Sequence, residues 1–474
     1  MPTVPPAAST DAALTTARAD APPPVGRGGL LYRLGLHTRE ARAWAMYDWA
    51  ISAVQTTTMV AVFPIFYLQV AGAEAGMTRS QVWWSTSNSI SIAIVALLSP
   101  ILGAVADYAA AKKRFLLLFQ LVGVMACAAM WLIGRGDLML ASVLFILVGV
   151  GAAGATVFYE SLLPHVAGER ERDRVSTAAY ALGYVGGGVL LALHFALILK
   201  PGFFGLPSGD GISFEQSTMP TRIALVSVGI WWMVFSLLLL RRVSEPAAAL
   251  DPGEAAGRSP VRMAFVRLVE TFHELRAFKQ AFLLLVAFLI YNDGVATIQK
   301  MATAYGTELG IERSALIGAI LVVQFVGIPA TFAFGMLAGW IGAKRAVLLA
   351  LLVYCAISIL GFYMRTATHF FMLAGMVGLV QGGSQALSRS MFANMIPRHK
   401  SGEFFGFYSV FNKFAGIFGP LLFGGTVAAT GSSRNAILSV ISFFVVGIIL
   451  LSFVNVEAGE RAARAAEAEA RRAA

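Results

Sequence analysis

Charge is what this sequence of 474 residues has little of: Asp, Glu, Lys and Arg make up 13% of it, roughly half the share of a soluble globular chain. That scarcity excludes a water-soluble enzyme of about three domains, which the length alone would allow. Cysteine is nearly absent too. Cys127 and Cys355 each sit inside an apolar stretch, which excludes a disulfide scaffold and reads as small polarizable filler. The chain has no Walker-type phosphate loop, no nucleophile elbow and no metal-ligand spacing. An ATP-driven pump, a hydrolase and a metalloenzyme fall away with them, so the expected catalytic residues, cofactors and metals are none. Residues 1–26 are rich in Ala, Pro and Thr without an apolar core, the composition of a disordered tail rather than a cleaved leader.

What is there is apolar length. Hydrophobic residues are 57% of the chain, mean hydropathy is +0.72, and stretches such as Phe115–Ile133 reach the ~20 residues that span a hydrocarbon core. Apolar blocks fall at 43–70, 82–106, 115–134, 138–164, 175–199 and 221–240, then at 279–304, 314–339, 345–364, 368–397, 403–429 and 435–456. The pattern predicts an all-α polytopic membrane protein of twelve transmembrane helices. Residues 1–42 form a disordered or interfacial N-terminus, 43–240 a first six-helix bundle and 279–456 a second. The joining segment, 241–278, carries an amphipathic helix with Val261, Phe265, Leu268, Phe272 and Leu275 on one face, suited to lying flat on a membrane. Residues 457–474 read as a helical Ala/Glu/Arg tail.

Of the 36 Lys and Arg residues, 26 fall in segments on the side of both termini and 7 on the other. This asymmetry predicts cytoplasmic termini in a multi-pass protein of the cell's inner membrane. The formal charge of +10 is then a topology signal, and no nucleic-acid partner is expected. The halves also repeat. Gly103–Asp107 followed by Lys112, Lys113 and Arg114 corresponds to Gly335–Gly339 followed by Lys344 and Arg345. Ser161–Pro164 likewise corresponds to Asn394–Pro397. A constant offset of about 230 residues with the same topology predicts parallel repeats about an axis along the membrane normal, with the solute site between them near the midplane.

The Gly103-x-x-x-Asp107 pattern with Lys112 and Lys113 resembles the loop motif of the major facilitator superfamily. Tyr47-Asp48-Trp49-Ala50, Phe158–Pro164, Arg174-Val175-Ser176, Ala181–Tyr184, Tyr291–Gly294, Gln385–Arg389 and Gly402–Gly406 are similar to its vacuole-effluxer branch, which includes autophagy-related amino-acid effluxers and many bacterial members. The likeness runs from about Ala41 to Val456. It departs at Ile51, where Asn is usual, at Ala110, where Gly is usual, and at Gly339, where the second loop motif would have Asp. The resemblance implies alternating access, with Gly103, Asp107, Lys112 and Lys113 in gating. Asp107 is then expected to hold the inner end of the second span against the start of the eleventh, near Ser401–Glu403.

Six ionisable residues lie inside spans: Asp48, Glu160, Asp293, Lys300, Arg389 and Lys413. At ~2.5–3.5 kcal/mol each, lipid exposure of all six would cost ~15–20 kcal/mol, so they must pair or line a wet cavity. Glu160 and Arg389 occupy equivalent places in the two repeats, suited either to a gate between halves or to separate structural pairs. Asp293 and Lys413 lie near the middle, as a solute- or proton-handling pair or as a permanent bridge. Lys300 reads as snorkelling to the headgroups, and His194 as structural. Asn292, Gln385 and Asn412 are polar neighbours on the presumed lining, where an amide is either a ligand contact or a helix–helix bond.

The expectation is a monomeric secondary transporter for a small polar solute, with amino-acid efflux and proton coupling as its finer form. Asp48, Asn292, Asp293, Gln385, Asn412 and Lys413 would line the pathway and Glu160 and Arg389 would gate it, with membrane lipid, the solute and protons as partners. The alternatives are a proton-coupled exporter of amphipathic drugs, which calls for a cavity with fewer embedded charges, and a non-transporting membrane receptor.

Overall fold

The computed structural model describes residues 29–108, 111–167, 172–209, 211–245, 269, 272–397, 404, 407–408, 411–412 and 414–473. Among these every regular element is helical. The first rod, α1, begins at Arg39–Ala53, capped by Thr38, whose side chain accepts from the Ala41 amide at 3.0 Å. It continues to Ala71 through π-helical turns at Val54–Ala61 and Tyr67–Ala71. Then follow α2 (Met77–Tyr108), α3 (Lys112–Ala129), α4 (Leu138–Val166), α5 (Arg172–Leu199) and α6 (Phe214–Arg242). The second half contains α7 (Lys279–Glu308), α8 (Arg313–Ile341), α9 (Ala343–Phe362), α10 (Ala367–Asn394) and α11 (Phe418–Thr430). It ends with α12, in two segments (Ser433–Ser439, Ile441–Phe453), and α13 (Val456–Ala473). Among the described residues ten rods are long and apolar enough to cross a membrane, and α11 is a shorter apolar helix.

Several of the connections are short. Gly342 alone separates α8 from α9, at φ +88°, a left-handed conformation that favours glycine. Side-chain bonds tie the rod ends into two sides. On one side Ser244 donates to Glu40 at 3.3 Å, Lys344 to the Ser452 and Val454 carbonyls at 2.8 and 2.7 Å, and the Asn455 amide to Gln280 at 2.7 Å. Both described ends of the chain are here, so we call it the terminus side. On the opposite side Arg434 donates to the Phe362 carbonyl at 2.7 Å, Arg222 to that of Trp131, and Ser433 to Glu308.

Three departures from the predicted spans have physical causes. The block expected at 82–106 starts earlier, at Met77, because α2 buries Ser80, Gln81, Ser85, Ser87, Asn88, Ser89 and Ser91 against protein, where hydropathy undervalues them. The block expected at 403–429 is interrupted at Gly416, φ +100°, and regular helix resumes at Phe418. The flat helix expected within 261–278 falls mostly outside the described residues. Its helical part 272–277 buries Leu275 and sets Phe272 against Phe282 and Phe407, ring centres 5.6 and 5.8 Å apart.

The first-half core is aromatic, with Phe63, Tyr67, Trp84 and Phe145 packed together. Between the halves, contacts gather toward the opposite side. Gln81 donates to the Ala304 carbonyl at 2.8 Å, Thr303 to that of Val60 at 2.6 Å, and Ser89 to that of Ile417 at 2.9 Å. Small residues let the helices close there, and a Cβ at Gly424 would overlap the Ser85 hydroxyl.

Candidate functional site

Where α1, α5, α7, α8 and α10 converge, the fold leaves a cavity of about 290 Å³, at the small end of the range for ligand pockets. Its polar lining is uncharged: Ser52, Gln55 and Thr56 from α1, Tyr180 and Tyr184 from α5, Gln299 and Tyr305 from α7, and Gln324 and Gln381 from α8 and α10. Its apolar lining includes Ile357, Met364, Phe370, Leu373 and Ile437. Among the described residues no acid, Lys, Arg or His lines it. Gln299 Nε2 and Gln381 Oε1 are buried with no hydrogen-bond partner.

The sequence of α1 explains how that helix meets the cavity. Residues 55–58 read Gln-Thr-Thr-Thr. Thr56 Oγ1 donates to the carbonyls of Ser52 at 3.1 Å and Gly187 at 3.3 Å, and Thr57 Oγ1 pairs with His194 Nδ1 at 3.1 Å. Hydroxyls that compete for backbone carbonyls loosen the α-helical register, and the π turn they accompany carries Gln55 and Thr56. Such turns concentrate at functional sites. His194 also pairs with Ser227 at 2.7 Å, joining α1, α5 and α6 as a structural residue.

The structure brings Asn292, Gln385 and Asn412 into one chain of amides. Gln385 Nε2 donates to Asn292 Oδ1 at 3.3 Å, and Asn292 Nδ2 to Asn412 Oδ1 at 3.0 Å. They link α7, α10 and the segment before α11, outside the cavity lining. Asp48 accepts from the Tyr159 hydroxyl at 3.0 Å, beneath a stack in which Tyr159 lies 4.4 Å from Trp44 and 4.7 Å from Tyr47.

Asp293 is buried, and its two oxygens accept from the backbone amides of Phe418 at 3.0 Å and Gly419 at 2.8 Å. These are the first amides of α11, which have no partner within the helix, and a carboxylate answers both the open donors and the positive end of the dipole. Lys413, the expected partner, lies outside the described residues. Lys300 interacts electrostatically with Asp293, and its amine lies 3.6 Å from where a Gly416 Cβ would stand. Its amine therefore lies inside the protein beside the helix break, and not out among headgroups as expected for Lys300.

Glu160 and Arg389 are exposed on the terminus-side parts of α4 and α10. Among the described residues no ion pair joins them. Gly103 and Asp107 belong to the last two turns of α2, and the side chain of Asp107 is outside the described set. Lys112 Nζ reaches the Ser161 carbonyl and His165 Nε2, each at 3.4 Å. The Lys113 amide donates to both Glu245 oxygens, at 3.2 and 3.1 Å, so Glu245 caps α3.

The sequence profile described as vacuole effluxer Atg22 like matches residues 77–464. The chain belongs to that family. It is 34% identical over 429 residues to the MFS-type transporter YxiO of Bacillus subtilis (strain 168), covering 89% of this chain and 96% of that one. Autophagy-related protein 22 of Yarrowia lipolytica is 28% identical over 320 residues, 61% of this chain and 51% of the fungal protein. Among solved structures, the nucleoside transporter NupG superposes with a TM-score of 0.64 at 12% identity, covering 88% of this chain and 99% of that one. The xylose transporter XylE of E. coli, in an inward-open conformation, superposes at 0.60 with 14% identity, covering 91% and 99%. This bacterial-type vacuole-effluxer relative is therefore a multi-pass membrane transporter of the major facilitator superfamily and not an enzyme.

Sequence reasoning on this effluxer-like transporter missed Gln55, Gln299, Gln324 and Gln381. The available signal was an uncharged amide in an otherwise apolar span. Gln120 carries the same signal yet is buried and donates to the Trp232 carbonyl at 3.3 Å, so spacing alone does not separate lining from helix-to-helix bonding.

Proposed function

We propose that the protein is a secondary active transporter that moves a small polar solute by alternating access. Its twelve helices form two six-helix bundles, 43–240 and 279–456, joined by 241–278 and related by a pseudo-twofold along the membrane normal. It works as a monomer in the inner membrane with cytoplasmic termini, since each chain already encloses a pathway. The observation that carries this reading is a cavity between the halves, with the bonds between them gathered toward the opposite side. On this topology the opposite side is the outer gate, shut, and the exposed Glu160, Gln385 and Arg389 border an opening to the cytoplasm.

In the finer reading Asp293 is the proton-coupling group, because its burial and its hold on α11 tie its charge to the helix break. Amino-acid efflux requires charges for a carboxylate and an ammonium. Arg389, Asp48 and Glu160 supply them beside the pathway, on the terminus side of the uncharged lining.

The test is a disulfide between Ser89→Cys and Ile417→Cys in a background lacking Cys127 and Cys355, with metabolites compared inside and outside cells that have or lack the protein. Locking the outer gate should abolish the metabolite difference, and reduction should restore it. A locked protein that still produces the difference rejects alternating access through this gate. External labelling of an introduced Ser259→Cys in intact cells would reverse the topology.

A further inference from the structure

Asp293 and Lys300 are seven residues apart on α7, about two turns and so on one face of the helix. Each meets a different end of the same helix break. Asp293 takes the Phe418 and Gly419 amides where α11 begins. The Lys300 amine lies beside Gly416, where the preceding segment, helical at 411–412 and 414, stops at φ +100°. The last carbonyls of a helix have no partner within it and form the negative end of its dipole. Two apolar groups, Ile92 of α2 and Ala296 of α7, stand 3.3 and 3.5 Å from the same Gly416 Cβ position. Among the described residues Lys300 Nζ has no hydrogen bond or ion pair, although Lys300 and Asp293 interact electrostatically. We propose that Lys300 is a tethered cation, its ammonium holding the place at the α11 break that a free alkali-metal cation would take in a transporter with an interrupted helix. Carbonyls at the end of a half-helix are the ligands such an ion uses, and Asp293 supplies negative charge nearby. A positive charge that cannot leave removes the need for an alkali-metal ion in the transport cycle. Lys300 is half-buried, so shortening it opens a negatively charged site to small cations.

The test is the melting temperature of the purified full chain in nanodiscs, in sodium, choline and ethylammonium chloride at equal ionic strength. Wild type should melt alike in all three. Lys300→Ala should melt lower in choline chloride and recover, saturably, in sodium or ethylammonium chloride. Lys300→Met fills the space without charge and should stay low in every salt, whereas Lys300→Arg should behave as wild type. Adding Asp293→Asn to Lys300→Ala should abolish the recovery, a response that a lysine needed only for packing would not give. Saturable stabilisation of the wild type by sodium would overturn the proposal, even if no Lys300 variant folds. So would a loss in Lys300→Ala that neither cation repairs, or no loss at all, the result expected if Lys413 supplies the charge at the break instead. None of these measurements involves a solute or its flux, so they stand or fall apart from the transporter reading.

Discussion

The two halves of the molecule solve the same packing problem with different chemistry. In the first half α5 lies directly on α1, with glycine as the spacer. A Cβ at Gly183 would come within 2.5 Å of the Ser52 hydroxyl, and one at Gly186 within 2.5 Å of the Trp49 carbonyl. In the second half α7 meets the start of α11 through polar contacts as well as a glycine spacer: Asp293 accepts from two backbone amides of α11, Asn292 bonds Asn412 just before that helix, and a Cβ at Gly419 would overlap the Thr297 hydroxyl. The first seam holds mainly by shape, with Thr56 and Thr57 adding bonds to Gly187 and His194 at its π turn. The second holds by a few directional bonds at a helix break, and exchanging them changes the path of the helix. A transporter needs both a rigid wall and a jointed one.

The largest expected effect breaks the jointed seam. Asp293→Ala leaves the first α11 amides buried without an acceptor, and hydrogen bonds to a charged group are worth ~1.5–3 kcal/mol each. Unfolding of the purified protein should show a loss of about 3 kcal/mol. Asp293→Asn keeps one acceptor oxygen and should lose about half as much. Equal stability of Asp293→Ala and wild type would remove the joint from the argument.

The rigid seam is tested by Gly186→Ala. A Cβ there meets a backbone carbonyl and the Trp49 ring, within 2.5 and 2.7 Å, and overpacking costs ~1–3 kcal/mol. A loss of about 2 kcal/mol is expected, and a melting curve like that of wild type would show that α5 has room to move away. The smallest effect sharpens the contrast. In a double-mutant cycle of Asn292→Ala and Asn412→Ala, the coupling energy should be ~0.6 kcal/mol, the average for hydrogen bonds between membrane helices. A value near zero would mean the amide chain adds nothing to the joint.

The apolar blocks were legible because a membrane imposes one length on every crossing, and each of the ten rods long and apolar enough to cross a membrane among the described residues overlaps one of them. Asn292, Gln385 and Asn412 were legible as polar neighbours in apolar surroundings, although not as one hydrogen-bonded chain. The partner of Asp293 among the described residues was not legible by seeking an opposite charge, because backbone amides answer it and sequence does not display them. A local signal existed: Gly416 followed by Pro420, a glycine break and a proline in the first turn of the next helix. The cavity glutamines stayed hidden because a lone Gln has the same neighbours in sequence whether it faces a cavity or a carbonyl.

The serine-rich face of α2 bears on how the protein is made. Ser89 rests on the Ile417 carbonyl, and the ribosome delivers that residue 328 positions later. Some help arrives sooner, since Gly149 of α4 receives the Ser91 hydroxyl. Through most of synthesis, then, the nascent chain holds a polar helix in the bilayer whose final partner does not yet exist. Ribosome-bound intermediates ending before α11 are the stage at which membrane insertases and quality-control proteases meet this chain at its most vulnerable.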